Sequence, residues 1–166
     1  MPLYRGSRNI LRAGYVFSAT GSVTTDQLQA TYEFPAGCMG ANGLLEGNLW
    51  ASCFASANGK RIRAFISNTN NGLSGTRFAN FNISAQSATA VVGMRGFLIC
   101  NKGSQSSQII QPSASGGTGS TFSGFDFENL TIDTAQTFYI TIALQKDVAG
   151  ESFQMQMIRL YSTYIP

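Results

Sequence analysis

Residues 38–66 read CMGANGLLEGNLWASCFASANGKRIRAFI, and this stretch decides the fold class. It opens on a turn signal, Gly40-Ala41-Asn42-Gly43, runs through the chain's one tryptophan, Trp50, and crosses a second turn signal at Asn58-Gly59. On its first limb Leu45, Leu49, Ala51 and Cys53 share one phase of a two-residue period, with Glu46, Asn48, Trp50 and Ser52 in the other. On its second limb Ile62, Ala64 and Ile66 alternate with Arg61, Arg63 and Ser67. A period of two is that of a strand with one buried face, and Asn-Gly between two such runs predicts a hairpin. The apolar phase is expected in the core. The polar phase, Glu46, Asn48, Trp50, Arg61 and Arg63, is expected to form one contact face. The small residues Gly47 and Ala51 predict a close backbone approach or a bulge.

The same period recurs on either side. Leu28, Ala30, Tyr32 and Phe34 share a phase, as do Phe138, Ile140, Ile142 and Leu144. In residues 76–84, Phe78, Asn80 and Asn82 fall in one phase and Arg77, Ala79, Phe81 and Ile83 in the other. Phe153, Met155 and Met157 keep phase until it is lost at Ile158, which predicts a bulge. Residues 86–100, broken by Gly93 and Gly96, predict a strand of a central sheet, and the low-complexity run at 113–124 predicts an exposed loop. No segment sustains a helical period. Short strands between Gly, Asn and Ser turns predict an all-β, antiparallel β-sandwich, jelly-roll-like, whose first and last strands pair. Residues 1–12, with Arg5, Arg8 and Arg12, are expected to be a basic N-terminal arm that makes an interface. Residues 13–166 are expected to form a single β-sandwich domain.

A chain of 166 residues is long enough to bury about two-thirds of its unfolded surface. Its charged fraction is only 11%, against a usual value near ~25%. A β protein this poor in charge tends to self-associate, so its surface is either Ser, Thr, Asn and Gln or is covered by other chains. Lys60, Arg61, Arg63, Arg77, Arg95 and Lys102 occur with no acid among them, whereas Asp126, Glu128, Asp133, Asp147 and Glu151 fall in the last third. That asymmetry suits docking on a complementary surface, with Arg61 and Arg63 free to pair with acids of the last third. A net charge of +3 is too small to imply strong nucleic-acid binding. Cys38, Cys53 and Cys100, odd in number and far apart, read as free thiols of a reducing compartment. Neither a signal peptide nor a membrane span is expected.

There is no histidine, which removes the commonest general base, the usual hydrolase triads and the ligands of most catalytic metals. Asp126 and Glu128, two apart, could serve a glycosidase but read better as a solvated strand face. Gly116, Gly117 and Gly119 lack the Lys-Ser/Thr of a phosphate-binding loop. No catalytic residue, cofactor or metal ligand is expected. Trp50 beside Glu46 and Asn48 could make a glycan patch, but aromatic side chains more often fill cores and subunit contacts.

Three segments together resemble a group of small structural proteins of tailed bacteriophages. The first is residues 35–66, with a Gly-x-Met-Gly-x-Asn-Gly opening at 37–43, a Leu-Trp strand and a basic strand after an Asn-bearing turn. The others are NKGSQSSQII at 101–110 and the strand–turn–strand at 133–164. Glu46, Gly47, Cys38 and Cys53 depart from the group's pattern. The resemblance implies a virion β-sandwich, a homotrimer on a capsid or tail, made in the host cytoplasm and binding the major capsid protein or tail proteins. A capsid decoration protein is the leading expectation. A tail receptor-binding or glycan-binding head and a jelly-roll coat subunit are the alternatives.

Overall fold

The structure, a computed structural model, describes residues 7–19, 21, 23–53, 58–84, 91–115 and 128–166, and among these described residues there are ten strands. They are β1 (Ser7–Ala19), β2 (Gln27–Phe34), β3 (Leu44–Cys53), β4 (Gly59–Ser67), β5 (Thr76–Ser84), β6 (Val91–Asn101), β7 (Gln108–Ser115), β8 (Glu128–Leu130), β9 (Phe138–Lys146) and β10 (Phe153–Tyr164). One sheet runs β1-β10-β3-β6-β7-β8 and the other β2-β9-β4-β5, with every pairing antiparallel. Without β7 and β8, this is the eight-strand, double Greek-key order of a jelly roll. The first strand pairs with the last, as the sequence predicts. Among the described residues there is no α-helix, only a 3-10 turn at Gly72–Ser74.

The strand phases place the core. Leu45, Leu49, Ala51 and Cys53 of β3 and Ile62, Ala64 and Ile66 of β4 all point between the sheets and are buried. Ile140, Ile142 and Leu144 of β9 and Met155, Ile158 and Leu160 of β10 meet them there. Phe34 stacks on Phe138 with centroids 5.1 Å apart, and Phe78 meets Phe97 edge-on at 4.9 Å. Such ring pairs add about 0.5–1.5 kcal/mol each beyond the area they bury.

The hairpin at 38–66 does not form. β3 lies between β10 and β6, while β4 lies in the other sheet between β9 and β5. A two-residue Asn-Gly hairpin needs a left-handed glycine, and Gly59 is outside that region. Gly59 instead starts β4, opposite Ser84.

Bulges account for most other differences. A register shift at Gln29 turns Leu28 out of the phase of Ala30, Tyr32 and Phe34, leaving it 53% exposed. A shift between Ala64 and Phe65 makes Phe78 the extra residue of β5, so it joins the core instead of following Asn80 and Asn82 outward. The bulge expected at Ile158 lies at Gln156. Gly47 admits neither a backbone nor a bulge: the Phe97 ring of the neighbouring strand covers it. Paired strand also begins earlier than the arm reading placed it. Residues 7–12 belong to β1, and shifts at Asn9 and after Tyr15 hide the strand period there. Residues 1–6 lie outside the described residues, as does most of the loop expected at 113–124.

Candidate interaction surfaces

The five residues expected on one contact face stand on opposite sides of the sandwich, because β3 and β4 belong to different sheets. Glu46, Asn48 and Trp50 face outward from the six-stranded sheet and are half-buried among their neighbours. Asn48 donates to Glu46 Oε1 at 2.9 Å. Register sets Tyr161, Arg159 and Met157 of β10 beside these three residues, and Leu98 of β6 beside Glu46. The Arg159 guanidinium lies 5.8 Å from the Trp50 ring centre, within cation–π range. A further row crosses the sheet through Leu44, Cys100 and Ile109, all half-buried, and burial pushes the Cys100 thiol up. The outside of this sheet therefore mixes aromatic and apolar residues with the polar Glu46, Asn48, Ser52, Gln156 and Arg159, and Gln156 donates to Ser52 Oγ at 2.6 Å.

The outside of the four-stranded sheet is the reverse. Arg63 holds Asp26 through Nη1 at 2.8 and 3.0 Å and donates to Asn80 at 3.3 Å. Arg61 pairs with Asp147 and donates to Gln145 at 2.8 Å. Pairing with an acid of the last third thus holds for Arg61, while Arg63 takes Asp26. Both arginines fasten loops of their own chain. Thr31 and Thr141 share a hydrogen bond of 3.0 Å, and the Tyr139 phenol is pushed up by burial and by the neighbouring Glu33 carboxylate. Of the expected arm, Arg8 and Arg12 hold register positions opposite Thr163 and Leu160 on β1, and Arg5 lies outside the described residues.

Sequence reasoning passed over a charged cluster where β4 begins and β9 ends. Lys60 and Lys146 oppose each other in the β4–β9 register and both are buried. Each keeps the inward phase, Lys60 two residues before Ile62 and Lys146 two after Leu144. That phase was the signal that could have found them. Lys60 Nζ lies 2.8 Å from Glu151 Oε2 and donates to the Asn58 carbonyl at 3.3 Å. Asn58 Nδ2 donates to Glu151 Oε1 at 2.6 Å. Lys146 Nζ donates to the carbonyls of Glu151, at 2.6 Å, and Gly21. Arg95, also inward, donates to the Asn82 carbonyl at 3.3 Å, and burial lowers its pKa.

At the opposite end, amide side chains tie the loops together. Asn101 Nδ2 donates to Gly40 O at 2.6 Å and Thr134 Oγ1 at 2.9 Å, and Thr134 donates to Gln105 O. Gln108 bridges Gln105 O and both backbone groups of Ile132. Among the described residues no group of His, Cys, Asp and Glu could hold a metal, and no helix is long and apolar enough to cross a membrane. Asp126 lies outside the described residues, and Glu128 pairs with Ile110 in β8.

No known protein family and no curated protein matches the sequence. Among solved structures the chain is similar to dimeric latent PorU from Porphyromonas gingivalis, at 10% identity and a TM-score of 0.43, covering 96% of this chain and 13% of that one. It is also similar to the CBM2 module of the evolved Dit of Lactobacillus casei BL23 phage J-1, at 11% and 0.41, covering 91% of this chain and 76% of that one. A chain of infectious bursal disease virus, Gx strain, follows at 13% and 0.38, with coverages of 95% and 41%. These likenesses are distant. The class of the protein, a jelly-roll β-sandwich, rests on its own strand order.

Proposed function

We propose that the chain is a virion structural protein of a tailed phage, a capsid decoration subunit that binds the shell and its sister subunits in a trimer. The observation that carries this reading is the outward face of the six-stranded sheet. Trp50, Met157, Tyr161, Leu98, Cys100 and Leu44 stand there, on a chain with only 11% charged residues. Faces that set aromatic and apolar residues among polar ones, with few charges, are of the kind that partners cover in assembled proteins. The role is burial of surface that braces a shell, and it needs no chemistry. The resemblance to small phage structural proteins agrees with it. A sugar-binding face is less well served, because Arg159 already lies over the Trp50 ring against which a sugar would stack.

The test is sedimentation of purified protein with undecorated shells of the phage that encodes it. Leu98→Glu and Trp50→Ala keep the core intact and should abolish co-sedimentation while leaving the unfolding midpoint nearly unchanged. If both variants fill shells to the parent's occupancy, this face is not the contact. Deleting residues 1–12 would be a poor test, since it removes half of β1.

A further inference from the structure

We propose that Lys60 and Asn58 become joined by an isopeptide bond formed around Glu151. The Glu151 carboxylate touches both reacting groups: Oε2 lies 2.8 Å from Lys60 Nζ and Oε1 lies 2.6 Å from Asn58 Nδ2. Lys60 Nζ also donates to the main-chain carbonyl of Asn58 at 3.3 Å, which keeps the amine beside the residue whose side-chain amide it would attack. The two residues are separated only by Gly59, and Lys60 is buried. Held reactants of this kind gain much of their rate from orientation alone.

The charges supply a driving force. The ammonium groups of Lys60 and Lys146 are both buried and oppose each other in the register of β4 and β9, Lys60 against the Glu151 carboxylate and Lys146 against the main-chain carbonyls of Glu151 and Gly21. Burying a charge is costly in a place of low dielectric. Turning Lys60 into an amide removes one of these two buried cations.

A proton moves from the Lys60 ammonium to Glu151 Oε2, leaving a neutral amine. The nitrogen lone pair attacks Asn58 Cγ, and the carbonyl π pair moves to its oxygen. Glu151 then protonates the amide nitrogen that departs. The C–N bond to that nitrogen breaks as the carbonyl re-forms, and ammonia leaves. The remaining extra proton on the new amide nitrogen is taken by Glu151 and lost with the ammonia as ammonium. One amide is exchanged for another, so no oxidant or co-reactant is needed, and Glu151 ends as it began. Its side chain, 18% exposed, gives the ammonia a way out.

The full chain, purified without denaturant and weighed intact by mass spectrometry, should be lighter than its sequence by one ammonia. Tryptic peptides should stay uncut after Lys60, and fragmentation should place the link between Asn58 and Lys60. Lys60→Arg, which keeps the charge, and Glu151→Gln should both have the full mass. Asn58→Asp should lose a water instead of an ammonia, which keeps the test open should Glu151→Gln fail to fold. A parent chain of full mass would overturn the proposal. So would an ammonia loss that survives in Lys60→Arg, because that product would be a succinimide at Asn58-Gly59. A gain in mass at Asn58 would show simple deamidation and would equally overturn it. The result is independent of shell binding.

Discussion

Gly47 is the position where one added carbon should cost most. A Cβ there would overlap the Phe97 ring at Cζ and Cε1 and stand 2.8 Å from Cε2. The ring has no easy retreat, since it is 1% exposed and held edge-on by Phe78. Forcing an extra methyl into a packed core costs about 1–3 kcal/mol, and complete loss of a buried Phe side chain about 3–5 kcal/mol. Alanine would offset about 0.5–1 kcal/mol of this through its smaller loss of chain entropy. The net expectation for Gly47→Ala is a destabilisation of about 2 kcal/mol, or roughly 4–8 °C in Tm for a domain of this size. Urea unfolding followed by Trp50 fluorescence would measure it. The decisive comparison is the double-mutant cycle with Phe97→Leu, which removes the ring. In that background Gly47→Ala should be neutral or stabilising, giving a coupling of about 1–3 kcal/mol. An equal cost in both backgrounds, or a Gly47→Ala variant as stable as its parent, would refute the packing argument.

Two further outcomes are expected. Asn101→Ala removes the donor that ties Gly40 O to Thr134 Oγ1 and should cost about 1–3 kcal/mol in the same unfolding assay, with the strands intact by circular dichroism. Stability should fall as pH rises past 10: burial raises the Tyr32 phenol, and burial and then Glu33 raise that of Tyr139, so the folded chain keeps protons that the unfolded chain releases. That stability is fully present below pH 10, and Glu33→Gln should make its decline shallower when urea midpoints are compared on both sides of that pH.

The core was legible because alternation survives wherever a strand keeps register. Leu45, Leu49 and Cys53 on β3 and Ile140, Ile142 and Leu144 on β9 follow it without interruption. The pairing of the end strands also followed from the class of fold. Sheet membership was not legible. Asn58-Gly59 carries a local signal, but the partners that place β4 are 84 residues away, as in Arg61 with Gln145. The contact face inherited that error, so Arg61 and Arg63 were grouped with Trp50 although they bolt down loops on the far side. The bulge at Gln29 turned Leu28 outward without leaving a mark in the sequence, whereas the bulge at Gln156 showed as the phase lost at Ile158. The buried lysines were missed for another reason. A charged residue in an apolar phase reads as the end of a strand unless a partner as distant as Glu151 is known.

The strand order also sets a timetable. β1 emerges first from the ribosome, yet the strand it pairs with, β10, begins about 134 residues after β1 ends. At ~5–20 residues per second, β1 waits roughly 7–27 s for that partner. β2 waits almost as long for β9, and β3 for its neighbour β10. Until then these strands are unpaired edges on a chain with few charges to keep such edges apart. The domain closes only when its last strand slides between β1 and β3, so losing the C-terminal strand would split the larger sheet in two.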